Sequence, residues 1–415
     1  MNGRILGLET AALIGAAFFA IGCGLGGSPA AWEVSGQAAE TTERSPSPLP
    51  AILTDSEVAE GWIALFDGET LFGWQAVGPV KWEIHEGAIT AESAEEGFLF
   101  TTSRFSDFLL RLEFLASDET NSGVFLRSPL QIKDVATDCY EVNIASPEKS
   151  EYPTGSLVRR QKGKVIEPKP GWRTLEARAE GGKITVRIDG EAVLEYEDPH
   201  PVRKGHIGLQ AREGRIAFRN IKLLPLGFRS LFNGKDLSGW RTHPQSASKV
   251  TVTPDGSLRL QGGRGQLETV DVFADFILQL DVFVNGRELN SGVFFRCIPG
   301  EMMNGYESQI HNGFLDGDRT KPRDAGTGGI FRRQNARKVV ADDFRWFTKT
   351  ILADGPHMAV WVNGYQVTDW VDTRSPHPNP RQGLRLEAGT IIFQGHDPGT
   401  DIFFRNIRIA ELPRE

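Results

Sequence analysis

An ordered internal repeat limits this chain more than any other feature. Leu65-Phe66-Asp67-Gly68 with Gly73-Trp74 returns as Leu231-Phe232-Asn233-Gly234 with Gly239-Trp240. Phe105 and Phe108 return as Phe273 and Phe276, and Asn121-Ser122-Gly123-Val124-Phe125-Leu126-Arg127 returns as Asn290-Ser291-Gly292-Val293-Phe294-Phe295-Arg296. Tyr140-Glu141, Thr154-Gly155 with Arg159-Arg160, Asp189-Gly190 and Phe218-Arg219-Asn220-Ile221 follow. They come back in the same order as Tyr306-Glu307, Thr327-Gly328 with Arg332-Arg333, Asn363-Gly364 and Phe404-Arg405-Asn406-Ile407. A period of about 170 residues is too long for a solenoid unit. The chain therefore carries two copies of one domain, residues 55–225 and 226–415. Each is long enough for its own core, and so little lies between them that they are expected to touch.

Inside each copy the period is two. Phe108, Leu110, Leu112 and Phe114 alternate with Leu109, Arg111, Glu113 and Leu115. Ile184, Val186 and Ile188 alternate with Thr185 and Arg187 before Asp189-Gly190, and Met358, Val360 and Val362 precede Asn363-Gly364. Asp-Gly and Asn-Gly after an alternating run signal hairpin turns. No long amphipathic helix is evident. The expected class is all-β, two tandem antiparallel β-sandwiches. Three cysteines exclude a disulfide scaffold or a Cys-rich zinc module; Cys139 and Cys297 read as free buried thiols. A net charge of −8 argues against a nucleic-acid partner.

The first segment reads as an address. Arg4 precedes an apolar run from Ala11 to Ile21, too short to span a bilayer. A basic start, a short apolar stretch and small residues suit a secretory signal over residues 1–23, although Glu9 is unusual there. Ala20-Ile21-Gly22-Cys23 resembles a bacterial lipobox, which makes Cys23 the lipidation candidate. Residues 24–54, rich in Pro and Ser, read as a disordered tether. The expectation is an exported protein of the periplasm or cell envelope, held to the membrane through Cys23.

Walker, dinucleotide, HExxH and GxSxG motifs are absent, so nucleotide, zincin and α/β-hydrolase chemistry is not expected. The polar candidates lie on strands whose other face is apolar. If Tyr306, Ser308 and Ile310 face the core, then Glu307, Gln309 and His311 share the opposite face, about 7 Å per step. A carboxylate, an amide and an imidazole in a row suit the hydroxyls of a sugar. Phe294 and Arg296 share one face of a nearby strand, and Asn290 stands at its start. In the first copy, Glu141 and Asn143 share a face, with Arg127 in place of Arg296. Arg159, Arg160, Arg332 and Arg333 are candidates for binding substrate oxygens, and Gln394, His396 and Asp397 form a polar rim after a strand. Trp74 and Trp240 read as core. No His, Asp or Glu pair has ligand-like spacing, so the cofactor is unknown; a divalent metal is the open candidate and no motif indicates one.

The ordered motif set, from Leu-Phe-Asp-Gly to Phe-Arg-Asn-Ile, resembles the 3-keto-disaccharide hydrolase domain family over most of residues 60–412. The resemblance implies a concanavalin A-like jelly roll in each copy and action on 3-keto-glycosides, by hydrolysis or by lyase and hydratase steps. It places the site on Tyr306 to His311, with Arg296 nearby. Glu307, His311 and Arg296 are then the catalytic candidates. Gln309, Asn290, Arg332, Gln394, His396, Arg127, Glu141 and Asn143 are the substrate-binding ones. Asn143 and Ala145 stand where the second copy has Gln309 and His311, which makes the second copy the better candidate for catalysis. The rival reading is a non-catalytic, lectin-like glycan-binding protein of the envelope, since sandwiches host both.

Overall fold

A computed structural model describes residues 52–167 and 169–414. The expected leader, Cys23 and most of the tether lie outside the described residues. The last three tether positions correct the expectation. Leu53 is buried with Trp62 and Ala64, because the chain here is already packed against the folded part. Thr54 caps a short helix, Asp55–Glu60, through a reciprocal capping box with Glu57.

From there on the chain is almost entirely antiparallel strand, and it forms two tandem jelly-roll sandwiches. In the second copy a five-stranded sheet runs in the order Trp240–Thr242, Gly265–Thr269, Thr390–Gly395, Ser291–Cys297, Tyr306–Ile310. It packs on a larger sheet whose central strands are Asp401–Glu411, Phe276–Val284, Trp346–Asp354 and His357–Val362. Leu278, Leu280, Val293, Phe295, Ile351, Val360, Phe393 and Phe404 close the space between the two layers. The first copy repeats this plan with one difference. Its strand Gly205–Pro225 runs without a break through both sheets. The corresponding strand of the second copy is cut in two by His396-Asp397-Pro398-Gly399.

The repeated motifs are structural joints. Trp74 and Trp240 are buried, and their indole N–H groups donate to the Leu65 and Leu231 carbonyls at 2.6 and 2.9 Å. Asp189 and Asn363 adopt φ of 50° and 48°, followed by Gly190 and Gly364, as the hairpin turns require. Asn220 and Asn406 sit at register shifts with φ of 52° and 51°. Their amides bond Glu113 and Asp281, which also pair with Arg219 and Arg405.

The copies touch through the larger sheet of the second. Ile277, Leu352, Ala359 and Trp361 point away from their own sandwich and join the core cluster of the first. The Trp361 indole donates to the Ala64 carbonyl at 3.0 Å, and Arg104 and Lys204 both meet Asp354. Trp361→Ala is expected to lower stability by about 3–5 kcal/mol, the usual cost of emptying a large aromatic site. A thermal melt checks this; an unchanged midpoint would mean that the join contributes nothing to stability.

Candidate functional site

The site is built on the five-stranded sheet of the second copy. Glu307 and Gln309 come from its edge strand, Asn290 from just before Ser291–Cys297, and Gln394 and His396 from the end of Thr390–Gly395. All five line one cleft of about 850 Å³, together with His243, Asp324, Phe331 and Arg381. Another hollow, of about 460 Å³, lies between helix Asp55–Glu60 and strand Trp346–Asp354 and holds none of the candidate residues.

Glu307 is only 6% exposed. Its carboxyl lies over Gly292 of the neighbouring strand, where an added Cβ would come within 2.8 Å of Oε1. The glycine of the Asn-Ser-Gly motif therefore makes the space in which the acid sits. Gly123 does the same for Glu141, at 3.1 Å. Burial pushes the Glu307 carboxyl up to about 7; Arg381, 3.4 Å away, and His396 pull it down, while Asp324 pushes it up. A group poised near neutrality can both take and return a proton.

Around this acid stands a polar frame. The Gln309 amide donates to Asn290 Oδ1 at 2.9 Å and to Asp324 Oδ2 at 3.1 Å, and the Asn290 amide donates to the same Asp324 oxygen at 3.1 Å. The side-chain carbonyls of Gln309 and Gln394 are buried without a partner, so both can accept from sugar hydroxyls. His396 holds Asp397 Oδ2 at 2.8 Å through Nδ1, which leaves Nε2 for the cleft.

Several expected residues are elsewhere. His311 lies beyond the last strand residue, Ile310, and is absent from the cleft lining; Nδ1 accepts from the Gly313 N–H at 3.2 Å inside its own turn. The alternation that placed it beside Glu307 ends with the strand. Arg296 is fully buried and does not reach the cleft. A register shift after Phe294 and a φ of 47° at Arg296 turn the side chain out of the alternation. Its guanidinium donates to the carbonyls of Ala274, Gly355 and Arg385 and to Asp275. Arg127, with φ of 52°, does the same in the first copy with Ser106, Gly181, Val202 and Asp107. Both are structural clamps. Asn143 is buried with its amide on the Tyr152 carbonyl, serving its own loop. Arg332 is exposed at a smaller hollow that adjoins the cleft.

Arg381, Asp324, His243 and Lys349 are absent from the sequence-level candidates. Arg381 had a signal, since residues 372–389 are longer than the matching link 198–204. Lys349 is fully buried between the sheets and donates to the Ser308 and Gln309 carbonyls at 2.8 and 2.7 Å. The first copy has Leu175 at that register position. Among the described residues no three His, Cys, Asp or Glu side chains converge as a metal site would need.

The first copy keeps the acid and only part of the frame, with Gln210 at the register position of Gln394. Burial, then Glu96, push Glu141 up to about 7. Yet Phe98 and Phe100 occupy the register positions of Gln266 and Glu268, and Arg212, inside the unbroken strand, stands where His396 follows its strand. With Phe125 these rings form an apolar cluster, Phe98 and Phe125 meeting edge-on at 5.3 Å.

Both glutamates hold their proton more tightly folded than at the ordinary value of 4.5. The native state therefore binds more protons between about pH 4.5 and 7, and stability falls as pH rises through that window. Glu307→Gln and Glu141→Gln are each expected to stabilise the chain at pH 8, by on the order of 1–3 kcal/mol. The gain should vanish at pH 4. Melts of both variants at the two pH values check the sign, and a gain that is equal at both would contradict the raised carboxyls.

A family model described as the 3-keto-alpha-glucoside-1,2-lyase-like domain matches residues 61–224 and again 227–410. A 3-keto-disaccharide hydrolase of Bacteroides thetaiotaomicron is 26% identical over 227 residues, 40% of this chain and 78% of that protein. Two solved structures of candidate glycosyl hydrolases from Parabacteroides distasonis also align. One is 18% identical with a TM-score of 0.37, covering 42% of this chain and 98% of the other. The second is 27% identical with a TM-score of 0.34, covering 45% and 84%. The tandem family match takes in most of the folded chain and falls on the two halves that the repeat defines. The chain thus belongs to the 3-keto-alpha-glucoside-1,2-lyase-like domain family, with two copies of the domain in one polypeptide.

Proposed function

We propose that the second copy cleaves 3-keto-glycosides by acid–base chemistry at C2 and C1. A carbonyl at C3 acidifies the C2 hydrogen, because the electron pair left behind delocalises onto the C3 oxygen. The C1–O bond can then break by elimination, its electrons leaving with the glycosidic oxygen, which needs a proton. Glu307 takes the C2 proton, and the His396 imidazole, backed by Asp397, supplies the proton to the leaving oxygen. Arg381, beside Glu307, offers positive charge to the developing enolate. Gln309, Gln394 and Asn290 orient the ring hydroxyls. Water adding to the unsaturated product completes a net hydrolysis.

The observation that carries this reading is the near-neutral Glu307 carboxyl on the floor of a polar cleft. The family and the named relative support the substrate class. The chain is proposed to work outside the cytoplasm, anchored through Cys23; mass spectrometry of the native N-terminus tests that. The activity is tested by product analysis of the full chain with a panel of 3-keto-disaccharides, with and without a chelator. Release of both halves of the disaccharide is expected. Saturable binding without turnover under every condition would select the glycan-binding reading instead.

A further inference from the structure

A smaller hollow of about 190 Å³ adjoins the cleft and is lined by Tyr306, Glu307, Phe331, Arg332, Arg333 and Arg381 among others. It shares Glu307, Phe331 and Arg381 with the cleft itself. Three arginines thus line a hollow that holds one carboxyl, and of these Arg381 pairs with it at 3.4 Å.

The repeat provides an internal control. In the first copy the same arginine pair is neutralised: Arg159 meets Asp134 at 2.7 Å and Arg160 meets Asp198 at 2.8 Å. In the second copy neither arginine has a carboxylate within ion-pair distance among the described residues. Asp372 corresponds to Asp198, since each accepts from the matching tyrosine hydroxyl, Tyr306 at 2.7 Å and Tyr140 at 2.8 Å. Asp372, however, is occupied by Arg374, which donates to both its oxygens at 2.8 Å. Arg333 is left with the carbonyls of Arg332 and Arg381, at 3.3 and 2.9 Å. Among the described residues, the Arg332 guanidinium meets only the face of Phe331, 5.3 Å from the ring centre. Burial, then the Arg374 and Arg381 guanidinium groups, lower the hold of Arg333 on its proton; Asp372 and Tyr306 raise it but do not offset them. The longer link of residues 372–389 delivers both Arg374, which removes the counter-charge, and Arg381, which adds a third cation.

We propose that this hollow is a subsite for an anionic substituent, a carboxylate or a sulfate ester, on the sugar that the cleft accepts. The proposal rests on the carbohydrate reading above and names its substrate class as acidic. Guanidinium groups suit such oxyanions, because their planar N–H forks match two oxygens at once. An anion here would also offset the repulsion that Arg333 feels from Arg374 and Arg381.

The test is calorimetric titration of the full chain with methyl β-glucoside, glucuronate, glucose 6-sulfate and inorganic sulfate, at low and high salt. The acidic sugars are expected to bind about tenfold more tightly than the neutral one, the effect of a charge-assisted hydrogen bond. That advantage should shrink with salt and disappear in an Arg332→Gln/Arg333→Gln double variant. Should the double variant fail to fold, Arg332→Gln alone, at an exposed position without an ion pair, should remove a measurable part of it. Equal binding of neutral and acidic sugars would overturn the proposal, as would an advantage that survives these substitutions. Inorganic sulfate binding as tightly as the acidic sugars would mean a free-anion site and overturn it too. The titration reads binding alone, so its failure leaves the separately measured keto-sugar turnover standing.

Discussion

Glu307→Gln is expected to slow turnover of a 3-keto-disaccharide by about 10²–10⁴-fold, the usual cost of losing a general base. The amide keeps the shape of the side chain and its place over Gly292, so the fold should survive; at pH 8 it should even melt higher. Gain of stability with loss of rate separates a chemical role from damage. Glu141→Gln is the control. Its carboxyl is equally buried and equally raised, to about 7, but the charged groups that act on it are Glu96 and Arg212, where Glu307 has Arg381, Asp324 and His396. It should change the melt and leave turnover nearly intact. His311→Ala should also leave turnover nearly intact, because His311 is absent from the cleft lining. Steady-state rates of the three variants check all of this. A loss of rate confined to Glu141→Gln would move the site to the first copy.

Arg296→Ala is expected to destabilise the chain by about 3–5 kcal/mol, the range for breaking a buried ion pair from one side. The guanidinium is fully buried, reaches Asp275 at 2.8 Å and donates to three backbone carbonyls. Alanine would leave Asp275 and those carbonyls short of donors. Arg127→Ala should behave alike in the first copy. Chemical denaturation measures both. The diagnostic outcome is a loss of activity that follows the unfolded fraction; a fully folded, stable and inactive Arg296→Ala protein would restore the arginine to the chemistry.

How far the sequence disclosed this site depended on what the backbone did locally. Where strands ran straight, alternation sufficed: Glu307 and Gln309 share the cleft side of their strand, and the repeat marked both sandwiches and their hairpins. Alternation failed at Arg127 and Arg296, because a bulge with positive φ rotates each side chain out of the two-residue pattern, and nothing in an arginine announces αL geometry. It failed at His311 because the strand stops one residue earlier. Asp324 and His243 reach the cleft from loops, whose paths have no periodicity to read. Lys349 sits where a strand's inward position calls for an apolar residue, as Leu175 shows in the twin. Only the mismatch between the copies could have flagged it. Arg381 had the same kind of signal, an excess of chain in one copy over the other.

The most direct test of the central claim follows the hydrogen at C2. Wild-type protein, incubated in deuterium oxide with a 3-keto-disaccharide, is expected to place deuterium at C2 of the released keto-sugar. Glu307→Gln should abolish that incorporation and Glu141→Gln should not. Cleavage of the disaccharide by wild type with the original C2 hydrogen fully retained would contradict proton abstraction by Glu307, and with it the mechanism proposed for this cleft.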